Sequence, residues 1–397
     1  LNILFYVCNA LDDATRIKRG ISSDSPAASR KIFLVCRALK SAGVRPVVVS
    51  LGRGRQDGSR RYFPTTVTRV QGVTVVYLPF LQVPILSELL SLFSLAALFP
   101  TLARFGSGRR SRVALFYNRV PAYFVGLFLA RLLEVKTVLD LEDGDIDWRA
   151  PTAKSLKARV LKNTFDFFCT GGALLACSAL DRGTSLRPTL CCYGTSTPRE
   201  GAPAEIRVPI RVLLGGTVAA ETGGPLLAEA IRILRASRPE WAARICVDIT
   251  GKGDSFHFFE KLSKEPGYPE VTVHGRMEDA TYARLLDDVR VGLALKPVTG
   301  PLAHTTFPSK VIELASQGIL ILTTDISDVR RVLGAGALYL SDDSPLSLIE
   351  HLHWIADHPA EARLLANEGT LRVARACAPE AVGASLRNFL FTGTAAA

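Results

Sequence analysis

Short runs of branched apolar residues, each closed by a turn or a polar cluster and most followed by a segment of helical spacing, recur along this 397-residue chain. The first series reads as strands over Leu1–Cys8, Val47–Leu51, Ala114–Tyr117, Thr137–Asp140, Leu174–Cys177 and Thr189–Tyr193. Helical spacing fills Ala27–Ala42, Ala122–Leu133 and Lys154–Phe168 between them. A β-loop-α-β rhythm of this kind belongs to doubly wound sheets. It stops at Thr195–Val208, TSTPREGAPAEIRV, where proline, glycine and charge occur without periodicity and the chain reads as a linker. The rhythm then restarts, with strands, some running into a glycine turn, over Val212–Thr217, Val247–Asp254, Val271–Arg276, Val291–Lys296, Ile319–Thr324 and Ala337–Leu340. The fold class is therefore α/β, with two Rossmann-like domains. Boundaries fall at 1–197, a linker over 198–208, and 209–378, with a terminal helix and tail over 379–397 that can pack back on the first domain.

Charge separates the two series. The chain carries +11 overall, with +14 in residues 1–200 and −3 in the remainder. A basic front half suits a large anionic surface. Within it, Pro84–Phe105 is the least polar stretch, with Glu88 its only charge before Arg104 and a proline at position 100. Arg109, Arg110 and Arg112 follow, and Gly52–Arg61 is a second basic loop. The uninterrupted apolar run is short for a bilayer span, so a peripheral anionic membrane surface is expected through Pro84–Arg112, on the inner face of the cytoplasmic membrane. A helix buried under the sheet is the alternative. No nucleic-acid module is visible, and no nucleic acid is expected as a partner. The eight cysteines show no metal spacing and read as reduced thiols.

Two stretches carry chemistry. At the end of the fourth front strand, Asp140, Glu142, Asp143, Asp145 and Asp147 place five carboxylates within eight residues. The carboxyl end of a strand is where an open α/β sheet binds ligands, so acceptor binding, general-base work and metal binding are candidates. A cluster that caps the next helix and pairs with arginines is the other reading. In the rear half, His304–Asp325 (HTTFPSKVIELASQGILILTTD) reads as a turn, a helix with Pro308 in its first position, the closing Gly318 and a buried strand. A helix start offers free amides to an anion, and Ser309 and Glu313 lie on one face. The first front strand lacks GxGxxG, which argues against a dinucleotide redox enzyme.

The rear motifs resemble those of GT-B fold glycosyltransferases, specifically the large nucleotide-sugar-dependent family 4 type. Gly215-Gly216, the Ile249–Gly253 turn, Val273-His274-Gly275-Arg276, Gly292–Lys296 and Phe307–Glu313 occur in that family's order. In the front half, SPAASRKIFLVCRAL and LDLEDG are similar to its bacterial cell-surface polysaccharide members. The resemblance implies two Rossmann-like domains facing a central cleft. It implies transfer from a nucleotide sugar, UDP-linked, to a lipid-linked or polysaccharide hydroxyl, with retention and without a metal or other cofactor. A non-catalytic nucleotide-binding partner subunit and a sugar-nucleotide epimerase are the alternatives.

Carried over by position, Glu313 binds the ribose hydroxyls, and the backbone near Gly275 and Arg276 holds the base. The amides of Phe307 to Lys310, with Gly215 and Gly216, hold the pyrophosphate, and Thr217, Thr305, Thr306, Pro308 and Ser309 count among the donor-binding positions. The chain departs from the family at four points, one of which is that its front half holds no histidine where many members place one near the reacting sugar. Thr305 stands where the first glutamate of the signature falls, and Thr217 and Thr222 stand where an Arg and a Lys usually neutralise the diphosphate. Lys252 and Lys310 are the candidates to replace that charge, with Arg276 and Lys296 in neighbouring loops. Asp24, Asn118 and Glu142 are expected on the acceptor side, and Asp143 as the carboxylate nearest the chemistry.

Overall fold

The computed structural model describes residues 2–22, 25–56, 62–104, 112–144, 153–199, 201, 203–300 and 303–393. Asp24, Arg109, Arg110, Asp145 and Asp147 lie outside the described residues. The chain divides into two compact units. The first ends at Thr195 and regains the chain from Pro379; the second is Ser196–Ala378.

In the first unit, strand Asn2–Cys8 is apolar at almost every position because it lies inside a parallel sheet and is covered on both faces. It pairs with Val44–Ser50 on one side and Arg112–Tyr117 on the other. The eight-stranded sheet runs Thr189–Cys191, Ala173–Leu175, Lys136–Leu141, Arg112–Tyr117, Asn2–Cys8, Val44–Ser50, Val73–Tyr77, Thr66–Val70. Its last pair is an antiparallel hairpin turned at Gln71-Gly72, both with positive φ. Strand order reverses between Asn2–Cys8 and Arg112–Tyr117, which opens a crevice at their carboxyl ends.

Helix Pro26–Ser41 starts with Pro26 in its first turn, and the Ser25 hydroxyl accepts from the Ala28 amide at 3.4 Å. Its buried face, Ile32, Val35, Cys36 and Leu39, lies in the unit's main core with Leu386, Phe389 and Leu390 of helix Pro379–Phe391. Gly383 allows that close approach, since a Cβ there would sit 2.2 Å from the Ala38 carbonyl oxygen. Lys136 Nζ caps the helix end by donating to the carbonyls of Phe389 (3.3 Å) and Leu390 (2.7 Å).

The apolar stretch forms one helix, Pro84–Arg104, that continues through Pro100. The proline forfeits a single backbone hydrogen bond in the last turns. Ser87, Ser91, Leu95 and Phe99 recur every four residues on its buried face, and Phe99 stacks on Phe116 at 6.2 Å. Leu86, Leu89 and Phe93 are exposed on the other, Phe93 to 70%. The reading as a buried helix holds for the first of these faces, and the second is open to solvent. No helix among the described residues is long and apolar enough to cross a membrane.

The second unit holds six parallel strands in the order Glu270–Gly275, Ile245–Lys252, Ile210–Thr217, Val289–Ala294, Leu320–Thr323, Ala337–Tyr339. This is the doubly wound order, with its switch point between Ile210–Thr217 and Val289–Ala294. Ser196 and Arg199 are tied to this unit: the Ser196 amide donates to Cys377 O (3.0 Å) and the Arg199 amide to Ser316 O (2.7 Å).

Candidate functional site

Two glycine turns shape the carboxyl edge of the second sheet. Strands Ile210–Thr217 and Ile245–Lys252 stay in register to their last residues, so Gly216 faces Gly251 and Thr217 faces Lys252. Both glycines have positive φ, and a Cβ on Gly251 would lie 1.8 Å from Gly216 O. Only glycine fits there, and the bare backbone leaves room above the turn. Thr222 closes the same loop: its hydroxyl donates to Thr217 O (2.7 Å) and accepts from the Ala219 amide (3.0 Å). Thr222 thus holds backbone, and Thr217 is an exposed neutral residue.

Lys310 stands over this turn. Its Cε is 3.5 Å from where a Gly216 Cβ would be, and its ammonium reaches Glu313 Oε2 at 3.1 Å and the Tyr282 hydroxyl at 3.2 Å. The Tyr282 ring lies below, 4.9 Å from Nζ to centroid. Burial pulls the Lys310 pKa down, but Glu313 and Tyr282 outweigh it and hold the ammonium above its ordinary value. Lys252, exposed at the end of the adjacent strand beside Thr217, is a second cation on the edge. Charge absent from the first turn is therefore present one strand and one helix away.

The helix carrying Lys310 and Glu313 is shorter than the spacing suggests. It spans Lys310–Ala315 with Ser309 as its N-cap, and Pro308 precedes it rather than occupying its first position. Pro308 O accepts from the Val311 amide (3.0 Å) and Ser309 O from the Ile312 and Glu313 amides (3.1 and 3.2 Å). Six residues supply little macrodipole, so the Lys310 side chain is the larger positive feature.

Upstream, Lys296 Nζ donates to the Thr306 hydroxyl, and Thr324 Oγ1 donates to Lys296 O at 2.6 Å. These bonds tie the segment Thr305–Pro308 to the ends of two strands. Thr305 Oγ1 is shut off from solvent without a hydrogen-bond partner, while Ser309 is exposed and Phe307 is partly buried. Gly275 has positive φ and open space where a side chain would be, and Arg276 beside it is exposed. Below that turn, His274 Nε2 meets Asp248 Oδ1 at 2.7 Å, and Arg211 grips the same buried carboxylate in two bonds of 2.8 and 2.9 Å. The triad fixes the strand leading to Gly275.

The first unit has its own polar cluster at the carboxyl edge. Asn118 takes a positive φ of 57° after strand Arg112–Tyr117. From there its Oδ1 accepts from the Glu142 amide at 2.8 Å, and its Nδ2 reaches Asp143 Oδ2 at 3.4 Å. Asp143 is exposed, but Glu142 is not the open acceptor ligand the sequence suggests. Its carboxylate is mostly buried on Lys31 Nζ, which also donates to Cys192 O at 3.1 Å. Asp140 lies deeper and accepts from the Tyr6 hydroxyl. Burial raises the Glu142 pKa, Lys31 opposes that and Asp140 adds to it, leaving it near neutrality, at about 7. Burial raises Asp140 as well. Lys31 stays charged, held above its ordinary pKa by both carboxylates against its own burial. Lys31 adjoins the buried face of its helix, which was its only sequence signal; Tyr282 had none.

The geometry is that of the carboxyl edge of a doubly wound unit, where such sheets bind their ligands. Residues 231–385 match the family model described as glycosyl transferase-like. The whole chain is similar in structure to HepE of Anabaena, solved in complex with UDP and glucose, at a TM-score of 0.68 and 13% identity over 98% of this chain and 99% of that one. It is similar to the sucrose-phosphate synthase of Thermosynechococcus elongatus (TM-score 0.68, 12% identity, 99% and 100% covered). TarM is a third neighbour (TM-score 0.67, 8% identity, 98% and 99% covered). No curated protein matches by sequence. At these identities the likeness is one of fold, and the fold is GT-B.

Proposed function

We propose that this protein is a glycosyltransferase that takes a sugar from a UDP-linked donor held by its second unit. The observation that carries the reading is the placement of Lys310, paired with Glu313, over the Gly216 turn, both side chains coming from the segment that matches the glycosyl transferase-like model. A carboxylate suited to a diol and an ammonium suited to a diphosphate stand three residues apart, with an open turn at Gly275 for the base. The leaving diphosphate gains charge as the glycosidic bond breaks, and Lys310 and Lys252 are the groups that stabilise it. Retention of configuration and independence of a metal are what the resemblance to family 4 glycosyltransferases implies for this reaction.

The acceptor is a hydroxyl of a lipid-linked or polysaccharide glycan, met by the edge that carries Asn118 and Asp143. Peripheral docking on an anionic membrane fits the exposed faces of the first unit. Helix Pro84–Arg104 presents Leu86, Leu89 and Phe93, and helix Ala153–Phe168 presents Leu156, Val160 and Phe167 among exposed Lys154, Lys157 and Arg159.

The test is incubation of the full chain with UDP- and GDP-sugars, following release of the free nucleotide with and without membrane lipid extract. UDP-sugar turnover that rises with extract supports the reading. Nucleotide binding with neither hydrolysis nor transfer refutes the catalytic assignment.

A further inference from the structure

We propose that Tyr282 is a positioning residue, one that keeps the Lys310 ammonium over the glycine turn once Glu313 engages the donor's ribose. The inference rests on the donor reading above and adds a residue that no sequence motif marks. Without ligand, Lys310 Nζ has three neighbours: Glu313 (Oε2 at 3.1 Å, Oε1 at 3.3 Å), the Tyr282 hydroxyl at 3.2 Å, and the Tyr282 ring face. A carboxylate that accepts two ribose hydroxyl protons shares between ribose and Lys310 the same two oxygens, with about four lone-pair sites in all, and spreads its charge over more donors. Donor binding therefore loosens the Lys310–Glu313 pair.

A lysine released from its carboxylate regains a large rotamer freedom, which costs affinity when it must be ordered again on a phosphate. Tyr282 removes that problem because it is supplied by a different element. It belongs to helix Asp279–Asp288, and its hydroxyl is 3.6 Å from where a Gly215 Cβ would be, beside the Lys310 stem on Gly216. Hydroxyl and ring keep the ammonium where a diphosphate over the turn meets it, and neither competes with the ribose. Tyr282 touches no donor atom in this scheme; it acts through Lys310 and hence on the phosphates alone.

That separation gives the test. UDP and uridine are titrated against the full chain as wild type, Tyr282→Phe, Tyr282→Leu and Glu313→Gln, with GDP and guanosine as the second probe pair. Tyr282→Phe keeps the ring and is expected to weaken UDP about 5-fold; Tyr282→Leu loses both contacts and weakens it roughly 20-fold or more. Uridine affinity stays within about 2-fold in both, while Glu313→Gln weakens UDP and uridine alike. A merely structural role would move uridine and UDP together or neither. Wild-type UDP-to-uridine ratios in the Tyr282 variants overturn the inference and leave the donor reading standing. If Tyr282→Leu fails to fold, Tyr282→Phe decides alone. Failure of wild type to bind any of the four probes overturns the donor reading and this inference with it.

Discussion

Replacing Lys31 with methionine tests the buried cluster of the first unit, because its cost must depend on pH. Lys31 is the one cation on the Asp140–Glu142 pair among the described contacts, and its side chain is as buried as that of Glu142. At hydrogen-bond separation and an effective dielectric of about 20, one such pairing is worth roughly 5 kcal/mol before desolvation. Removing one member of a buried pair costs about 3–5 kcal/mol when the other stays charged. Glu142 titrates at about 7, raised above an ordinary glutamate. A carboxyl whose folded pKa is raised contributes its stability below the unfolded value, near 4.3, and loses it as pH climbs through the folded one. The stability that this carboxyl contributes to the wild type therefore falls as pH rises from about 4.3 to 7. In Lys31→Met both carboxyls move further up, so the loss deepens and extends above pH 7. The expected cost is about 3–5 kcal/mol at pH 8 and about 1–2 kcal/mol at pH 5, where a shared proton already neutralises part of the pair. Urea unfolding of the full chain at both pH values measures it, with the two units' transitions analysed separately. Lys31→Met/Glu142→Gln should recover stability at pH 8 relative to Lys31→Met. An equal cost at pH 5 and pH 8, or no recovery, refutes the assignment.

On the donor edge, Lys310→Met and Lys252→Ala should each lower turnover at least about 10-fold, Lys310→Met more, while the unfolding midpoint of Lys252→Ala stays unchanged; unchanged turnover in both sinks the diphosphate assignment. Gly383→Ala drives a Cβ to 2.2 Å from Ala38 O; it should cost about 1–3 kcal/mol and increase proteolysis of the last helix, and wild-type stability would mean that helix does not pack there. The Phe93→Ser/Phe167→Ser double variant should lose sedimentation with anionic liposomes while donor hydrolysis persists. Binding as in wild type would remove the exposed helices from the membrane proposal.

The parallel core was legible because its signal is local. Strands Asn2–Cys8 and Ile210–Thr217 are buried on both faces, and their apolar runs read directly from the sequence. The hairpin Thr66–Val70/Val73–Tyr77 was not read, since an edge strand with exposed Val67, Thr68 and Arg69 has no apolar run to find. Glu313 and the glycine turns were legible because their residue types and order along the chain form a local motif at strand ends and a helix start. Their supports were not. Lys31 and Glu142 are 111 positions apart, Lys310 and Tyr282 are 28 apart, and nothing local marks either pair.

The same contrast explains how the glycine loop lacks the charge expected of it. Thr222 spends its hydroxyl on Thr217 O and the Ala219 amide, holding the turn closed, so a long cation at that position would leave those bonds unmade. With Thr217 neutral as well, an anion above Gly216 must be met from outside the loop. The register pairing Thr217 with Lys252 and the packing of Lys310 on Gly216 bring cations there from two other elements. A cation over the turn needs only the right end point, not a fixed place in the sequence. Restoring the expected residue should therefore gain little: Thr217→Arg in a Lys310→Met background recovers turnover if charge alone is required. It fails if the ammonium must sit where Tyr282 holds it, and that failure would tie catalysis to the position of the charge rather than its presence.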